Sequence, residues 1–203
     1  AFSGTVFGIP ATTVRMFTFW AFLVAFAIKV PVWPFHTWLP DAHTEAPTAG
    51  SMLLAGVLLK LGAYGFLRIV LPVFPVEFQA NALTVALLAL LAIILGALAS
   101  FGVDDFKRLV AYSSVNHMGF VILGVAVAAY ARGYGQWDMA RITAVNGAVL
   151  QMFNHGLSAA AMFALVGVVY ERTHTRDLNA YGGLWTIAPV YGAILVFSAM
   201  SSL

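Results

Sequence analysis

The chain has 203 residues, of which 62% are hydrophobic and 9% charged, with ten Lys and Arg, eight Asp and Glu, a formal net charge of +2 and no Cys. Soluble domains carry roughly 25% charged residues, so charge this sparse cannot clothe a water-facing surface, and most of the chain has lipid as its solvent. The missing Cys excludes disulfide scaffolds, thiolate zinc sites, iron–sulfur clusters and cysteine nucleophiles, and the small, scattered net charge excludes a nucleic-acid-binding surface.

A membrane-crossing helix needs about 20 apolar residues. In chain order the predicted spans run from Thr13 to Trp33, Ser51 to Val70, Ala82 to Ser100, Phe106 to Ala131 and Ala140 to Tyr170, and a sixth begins near Leu184. Polar connections are expected at Pro72 to Asn81, Gly102 to Asp105 and Arg172 to Gly183. The runs lack the alternation of a barrel wall. Small residues inside them, as in Leu54-Ala55-Gly56 and Leu95-Gly96-Ala97, let helix backbones approach closely. The expected fold is all-α, a polytopic transmembrane helix bundle with five complete spans and part of a sixth, including a Pro-broken helix after Lys29. With no initiating Met and a hydrophobic run from Ser198 to Leu203 at its end, the chain reads as residues 1–203 of one partial membrane domain. Arg15, Arg68, Arg132 and Arg141 fall on one side, and Lys107, Arg108, Arg172 and Arg176 on the other. That balance assigns no orientation.

Lys29 and Lys60 are the informative charges. Lys60 stands about ten residues into its span, roughly 15 Å from either surface. Insertion there costs about 2.5–3.5 kcal/mol, and the side chain is too central to snorkel. An ammonium withdrawn from water keeps its proton only while something nearby favours the charge, so it can hold or release a proton as its surroundings change. Tyr64, one turn on, is expected to share a hydrogen-bonded water with Lys60. Lys29 precedes Pro31 and Pro34. Pro31 lacks a donor and disfavours helix at Val30, so the predicted break frees carbonyls beside a cation, where a half-helix C-terminus favours positive charge.

Two histidines lie inside later spans. His117 follows Ser113 by one turn, and Gln151, Asn154, His155 and Ser158 form a polar stripe on one helix face. Asn146 projects from roughly the opposite face. One such group is helix-to-helix glue worth about 1 kcal/mol, whereas four over two turns read as the wall of a hydrated proton path, with His117 and His155 as relays. Haem ligation would leave both lysines without purpose. Among the remaining charges, Asp104 and Asp105 are expected to cap the fourth helix, with Lys107 and Arg108 at the interface. Arg68 is expected to snorkel. Arg172, His174, Arg176 and Asp177 are expected to form a solvated loop. Asp41, His43 and Glu45 fit either helix caps or the lining of an access route.

Several segments carry a family resemblance. Lys29-Val30-Pro31-Val32-Trp33-Pro34-Phe35-His36-Thr37-Trp38-Leu39-Pro40-Asp41-Ala42-His43, Ala46-Pro47-Thr48-Ala49-Gly50-Ser51 and Leu54-Ala55-Gly56-Val57-Leu58-Leu59-Lys60 resemble the antiporter-like M chains of bacterial NADH–quinone oxidoreductase (respiratory complex I). So do Asp105 to Gly119, Asn154 to Ala160 and Tyr170 to Asp177. The resemblance implies that Lys29 is the pumping lysine of a broken helix, that Lys60 is the connecting lysine, and that His117 and His155 belong to the hydrophilic axis between them. It implies proton translocation coupled to quinone reduction, in the bacterial inner (plasma) membrane, beside other membrane subunits of the respiratory complex. NADH, FMN, iron–sulfur clusters and quinone are then expected on partner subunits. This chain has no dinucleotide or phosphate fingerprint and is expected to bind no cofactor or metal. The alternatives are a large subunit of a multi-subunit sodium/proton antiporter, built on the same scaffold, and a passive structural membrane arm.

Overall fold

The computed structural model describes residues 4–6 and 8–202. A two-residue antiparallel pair, β1 (Thr5–Val6) and β2 (Ile9–Pro10), precedes the first helix. The helices that follow are α1 (Ala11–Lys29), the short α2 (Trp38–Glu45), α3 (Thr48–Val73), α4 (Pro75–Phe101), α5 (Phe106–Tyr130) and α6 (Asp138–Thr173). All but α2 are long and apolar enough to cross a bilayer, which makes five candidate spans among the described residues. A single turn at Leu184–Ile187 then leads into α7 (Pro189–Met200).

Proline sets several boundaries. The break after Lys29 occurs as expected: α1 stops at Lys29 and helix resumes only at Trp38. The freed carbonyls are not left open, however. Phe26 and Ala27 accept from the amides of Val30 and Val32, and Ile28 accepts from the Trp38 indole at 3.0 Å. The predicted connection from Pro72 to Asn81 is mostly helix, because Pro75 occupies the first turn of α4, where a missing N–H costs nothing,. The sixth apolar segment is likewise divided, with α7 opening on Pro189. Its last residue, Leu203, lies outside the described residues.

Helix α5 is the centre of the bundle, packed along α4 on one side and α6 on the other. Small residues make these approaches possible. A Cβ on Gly96 would meet the Asn116 amide at 2.9 Å, and one on Gly119 would meet Ile93 at 2.7 Å. The Asn116 side chain donates to the Ile93 carbonyl at 2.7 Å, closing the same seam. Helix α3 meets α6 at two points, Gly156 against Gly56 and Gly167 against Thr48, about three turns apart on α6 and about two on α3,.

The two ends of the bundle are pinned differently. At one end Arg15 of α1 donates twice to Glu77 of α4, at 2.6 and 3.1 Å. At the other, cations gather the end of α2. Lys107 donates to the Ala46 carbonyl at 2.6 Å, Arg176 to the Thr44 carbonyl at 2.7 Å, and Arg108 pairs with exposed Asp41. Arg176 also pairs with Asp105 at 3.1 Å. Asp105 caps α5 as expected, accepting from the Arg108 amide at 3.0 Å. One expectation fails here. Lys107 is 4% exposed rather than interfacial, because its neighbour Arg108 takes the outward direction 100° away on the helix. The 174–181 segment is solvated as expected, with Arg172 before it and His174 and Asp177 within it exposed, and it also acts as a clasp: Phe106 donates to the Arg176 carbonyl and Leu178 to the Asp104 carbonyl.

Candidate functional site

Lys60 lies midway along α3, between two π-helical stretches, Leu54–Leu58 and Phe66–Val70. Such insertions re-aim side chains and concentrate at functional positions. The Lys60 Nζ reaches the Ala55 carbonyl at 2.5 Å and His155 Nδ1 at 2.6 Å. His155, on α6, is 3% exposed. Contact across the two helices depends on the Gly56–Gly156 approach, since a Cβ on Gly156 would stand 3.1 Å from the Gly56 carbonyl and 3.6 Å from Lys60 Cε.

His117 of α5 extends the group. Its ring lies 5.4 Å from that of His155, centroid to centroid, and its Nδ1 is 3.3 Å from Gln151 Nε2. Together with Gln151, Asn154, His155 and Ser158 it lines a cavity of about 650 Å³ between α5 and α6. The four residues of the predicted stripe thus border one cavity, and Ser201 and Ser202 join them from beyond α7. Ser113 borders a smaller cavity of about 150 Å³ shared with His117, His155 and Ser158. Asn146 faces elsewhere, beside Asp138 and Arg141.

The chemistry follows from the pairing. A lysine–histidine contact at 2.6 Å places two bases where they can share one proton. With Lys60 as the ammonium, His155 accepts at Nδ1 and carries its own hydrogen on Nε2. Transfer of the shared proton leaves a neutral amine and an imidazolium whose Nε2–H can pass it on. Among the described residues no carboxylate pairs with Lys60, so the Ala55 carbonyl and the imidazole are what stabilise its charge.

Two predicted members stand apart. Lys29 is exposed at the end of α1; its Cβ and Cγ pack where a Cβ on Gly62 would fall, at 3.0 Å. No hydrogen bond or ion pair joins it to the Lys60 group among the described residues. Tyr64 is 54% exposed and does not hydrogen-bond Lys60 there. One site that sequence reading left open is now defined. His43, in the connection between the first two spans, is fully buried and stacks on Phe163, ring centroids 4.3 Å apart. Burial, and then the Lys107 charge, push it down to about 4. The signal was available: Leu39 and Pro40 precede it by a helical turn, marking an inward face. Among the described residues no group of three or more His, Cys, Asp or Glu could hold a metal ion.

A bundle of five long apolar helices among the described residues, with one broken after a lysine and another carrying a lysine in contact with a buried histidine at mid-span, defines a polytopic membrane subunit with a buried Lys/His network. A family model described as NADH:quinone oxidoreductase/Mrp antiporter, TM, matches residues 4–203, and the chain belongs to that family. It is 51% identical over 182 residues to NADH-quinone oxidoreductase subunit M of Pseudomonas aeruginosa, covering 90% of this chain and 33% of that one. It is 47% identical over 189 residues to subunit M of Rhodobacter capsulatus, covering 93% and 35%. Among solved structures, it superposes on a chain of respiratory complex I from Thermus thermophilus with bound NADH at a TM-score of 0.82, with 31% identity, covering 93% of this chain and 38% of that one. The Mrp complex from Dietzia sp. DQ12-45-1b shares the fold, with a TM-score of 0.74 at 23% identity over 89% of this chain and 31% of that one. The chain spans about a third of the length of these curated relatives.

Proposed function

We propose that this chain is part of a proton-translocating subunit of a bacterial inner-membrane NADH–quinone oxidoreductase, and that Lys60, His155 and His117 carry protons through it. The observation that supports this most is the 2.6 Å contact between Lys60 and His155 at mid-bundle, opening through His117 and Gln151 onto a cavity whose otherwise apolar wall carries Asn154, Ser158, Ser201 and Ser202. Asn154, Ser158 and Ser113 offer hydroxyl and amide groups along the same route. Lys29, beside Gly62 at the helix break, is the adjoining proton-holding group.

In this reading, NADH, FMN, iron–sulfur clusters and quinone act on partner subunits, and the charge displaced by quinone reduction changes the field at Lys29 and Lys60. Each proton driven against 100 mV requires about 2.3 kcal/mol, which the redox partners supply. Protons per quinone reduced, measured in coupled vesicles of the complete complex carrying Lys60→Ala, test this. A lowered ratio with normal assembly is expected. An unchanged ratio refutes the role, and ion exchange that persists without quinone turnover would favour the sodium/proton antiporter instead. Intact coupled turnover in Lys29→Met would favour a passive membrane arm.

A further inference from the structure

We propose that His117 and His155 form a binding site for one divalent transition-metal ion of the zinc type, filled from the cavity between α5 and α6. The site goes beyond the proton-translocating reading and stands without it, since it depends on how two imidazoles are placed and not on what moves between them.

The separation of the rings is the first observation. Zinc binds imidazole nitrogen at about 2.0–2.1 Å in tetrahedral geometry, which sets the ring centroids of two imidazoles on one ion about 5.2 Å apart. The rings of His117 and His155 stand 5.4 Å apart, tilted by 42°. They come from different helices, so bundle packing sets this spacing rather than helical repeat. No hydrogen bond joins the two rings among the described residues, so interhelical glue does not account for their approach.

The second observation is how each ring uses its edges. A ligating histidine holds a partner with the nitrogen that the metal does not take, and that outer contact fixes the ring. Here Nδ1 of His117 lies 3.3 Å from the Gln151 amide, and Nδ1 of His155 lies 2.6 Å from Lys60 Nζ. Each Nε2 is left without a protein partner among the described residues, and neither is sealed off as both nitrogens of His43 are. Both rings border the cavity of about 650 Å³ and the smaller one of about 150 Å³. The larger cavity continues to Val127 on α5 and Ala144 on α6, about 15 Å along the helix axes from the histidines, which provides an entry path.

The donor set names the class of ion. Beside the imidazoles the cavities offer the amides of Gln151 and Asn154 and the hydroxyls of Ser158 and Ser202, with no carboxylate among the described residues. Mg²⁺ and Ca²⁺ select carboxylates and other oxygens, whereas imidazole nitrogen suits Zn²⁺, Cu²⁺ or Ni²⁺. Two nitrogen ligands, completed by water or a side-chain oxygen, hold an exchangeable ion rather than a resident cofactor. No metal signature shows in the sequence because the two ligands lie on separate spans.

Coordination balances without another reactant. A ligating nitrogen carries no hydrogen, so each ring keeps its one hydrogen on Nδ1. That of His117 is donated to the oxygen of the Gln151 amide, whose two ends exchange by a flip. That of His155 is donated to Lys60 as a neutral amine, so one proton leaves for water as the ion arrives.

The test uses the complete complex with the full-length chain, purified in detergent, stripped with a chelator and titrated with Zn²⁺ alone over the micromolar range. Bound zinc is counted, and its X-ray absorption is compared between wild type and variants. The wild type is expected to hold one ion more than His117→Gln or His155→Gln, with two imidazole nitrogens at about 2.0–2.1 Å in the difference. Mg²⁺ is expected not to displace it. Ser158→His sets a third imidazole three residues from His155 on the same face; it is expected to tighten the site at least tenfold, and it decides the matter where a histidine variant fails to assemble. Equal zinc in the wild type and His117→Gln, displacement by Mg²⁺, or no tightening in Ser158→His overturns the proposal. Vesicles carrying the same complex separate the site from its consequence. Filling it is expected to lower protons moved per quinone reduced at least fivefold, and bound zinc with an unchanged ratio removes the proton-translocating reading while the site stands.

Discussion

The glycine at position 156 sets how closely the two bases of the site can stand. A Cβ there would meet the Gly56 carbonyl at 3.1 Å, against an ordinary contact of 3.4 Å or more. Gly156→Ala therefore requires the helices to part by about 0.3 Å, which stretches the 2.6 Å Lys60–His155 contact to about 2.9 Å, still a sound hydrogen bond,. Gly156→Val brings two further methyls to a backbone that cannot swing aside, and opening by about 1 Å carries the contact past hydrogen-bond range. Overpacking of this kind costs about 1–3 kcal/mol, and losing a hydrogen bond to a charged group costs about 1.5–3 kcal/mol, so the proton-sharing pair falls at least tenfold in population. The assay is proton translocation per quinone reduced in reconstituted complex, with the thermal midpoint read alongside. Alanine is expected to reduce the ratio less than twofold and valine at least fivefold. Valine with wild-type pumping would show that the close helix crossing does not position the site.

Other expectations follow from the same contacts. His43 is held neutral in the folded chain, so between about pH 4 and 6.5 the unfolded chain binds more protons than the folded one,. Stability is then expected to fall as pH drops through that window, by at most ~3 kcal/mol. His43→Phe should flatten this slope in thermal unfolding of the detergent-solubilised protein, and an equal slope in both would contradict the assignment. Phe163→Ala empties a fully buried aromatic site beneath His43 and should cost about 3–5 kcal/mol,, read as a lowered thermal midpoint. Arg176→Ala removes the grip on the Thr44 carbonyl and the Asp105 pair. Allowing for its partial exposure, it should cost about 1 kcal/mol and speed proteolysis within 174–183; unchanged cleavage would deny the clasp.

Much of this arrangement was legible in the sequence because lipid imposes simple rules. Apolar runs of span length located all five long helices, and Pro31 and Pro34 located the break. The spacing of Gln151, Asn154, His155 and Ser158 placed them on one face, which they share in the structure. What periodicity does not encode is which face meets which. Lys60 and His155 are 95 residues apart, and their pairing comes from a glycine contact that shows only when the helices are packed. Tyr64 shares the regular helical stretch Leu59–Gly65 with Lys60, one turn on, yet it is 54% exposed and makes no direct hydrogen bond to Lys60 among the described residues. Lys107 and Arg108 looked alike as neighbouring cations until packing turned one inward. Pro75 reads as a connection residue by composition, but at a helix start it is favourable.

The central claim is that Lys60 and His155 share a mobile proton, and infrared difference spectroscopy tests it most directly. Spectra of the complex with ring-¹⁵N-labelled histidine would be recorded as a proton gradient is raised and collapsed. A histidine band that changes with the gradient, disappears in His155→Gln and moves in Lys60→Met is the predicted result. The same band unaltered in Lys60→Met, or no histidine band in the wild-type protein, would contradict the account.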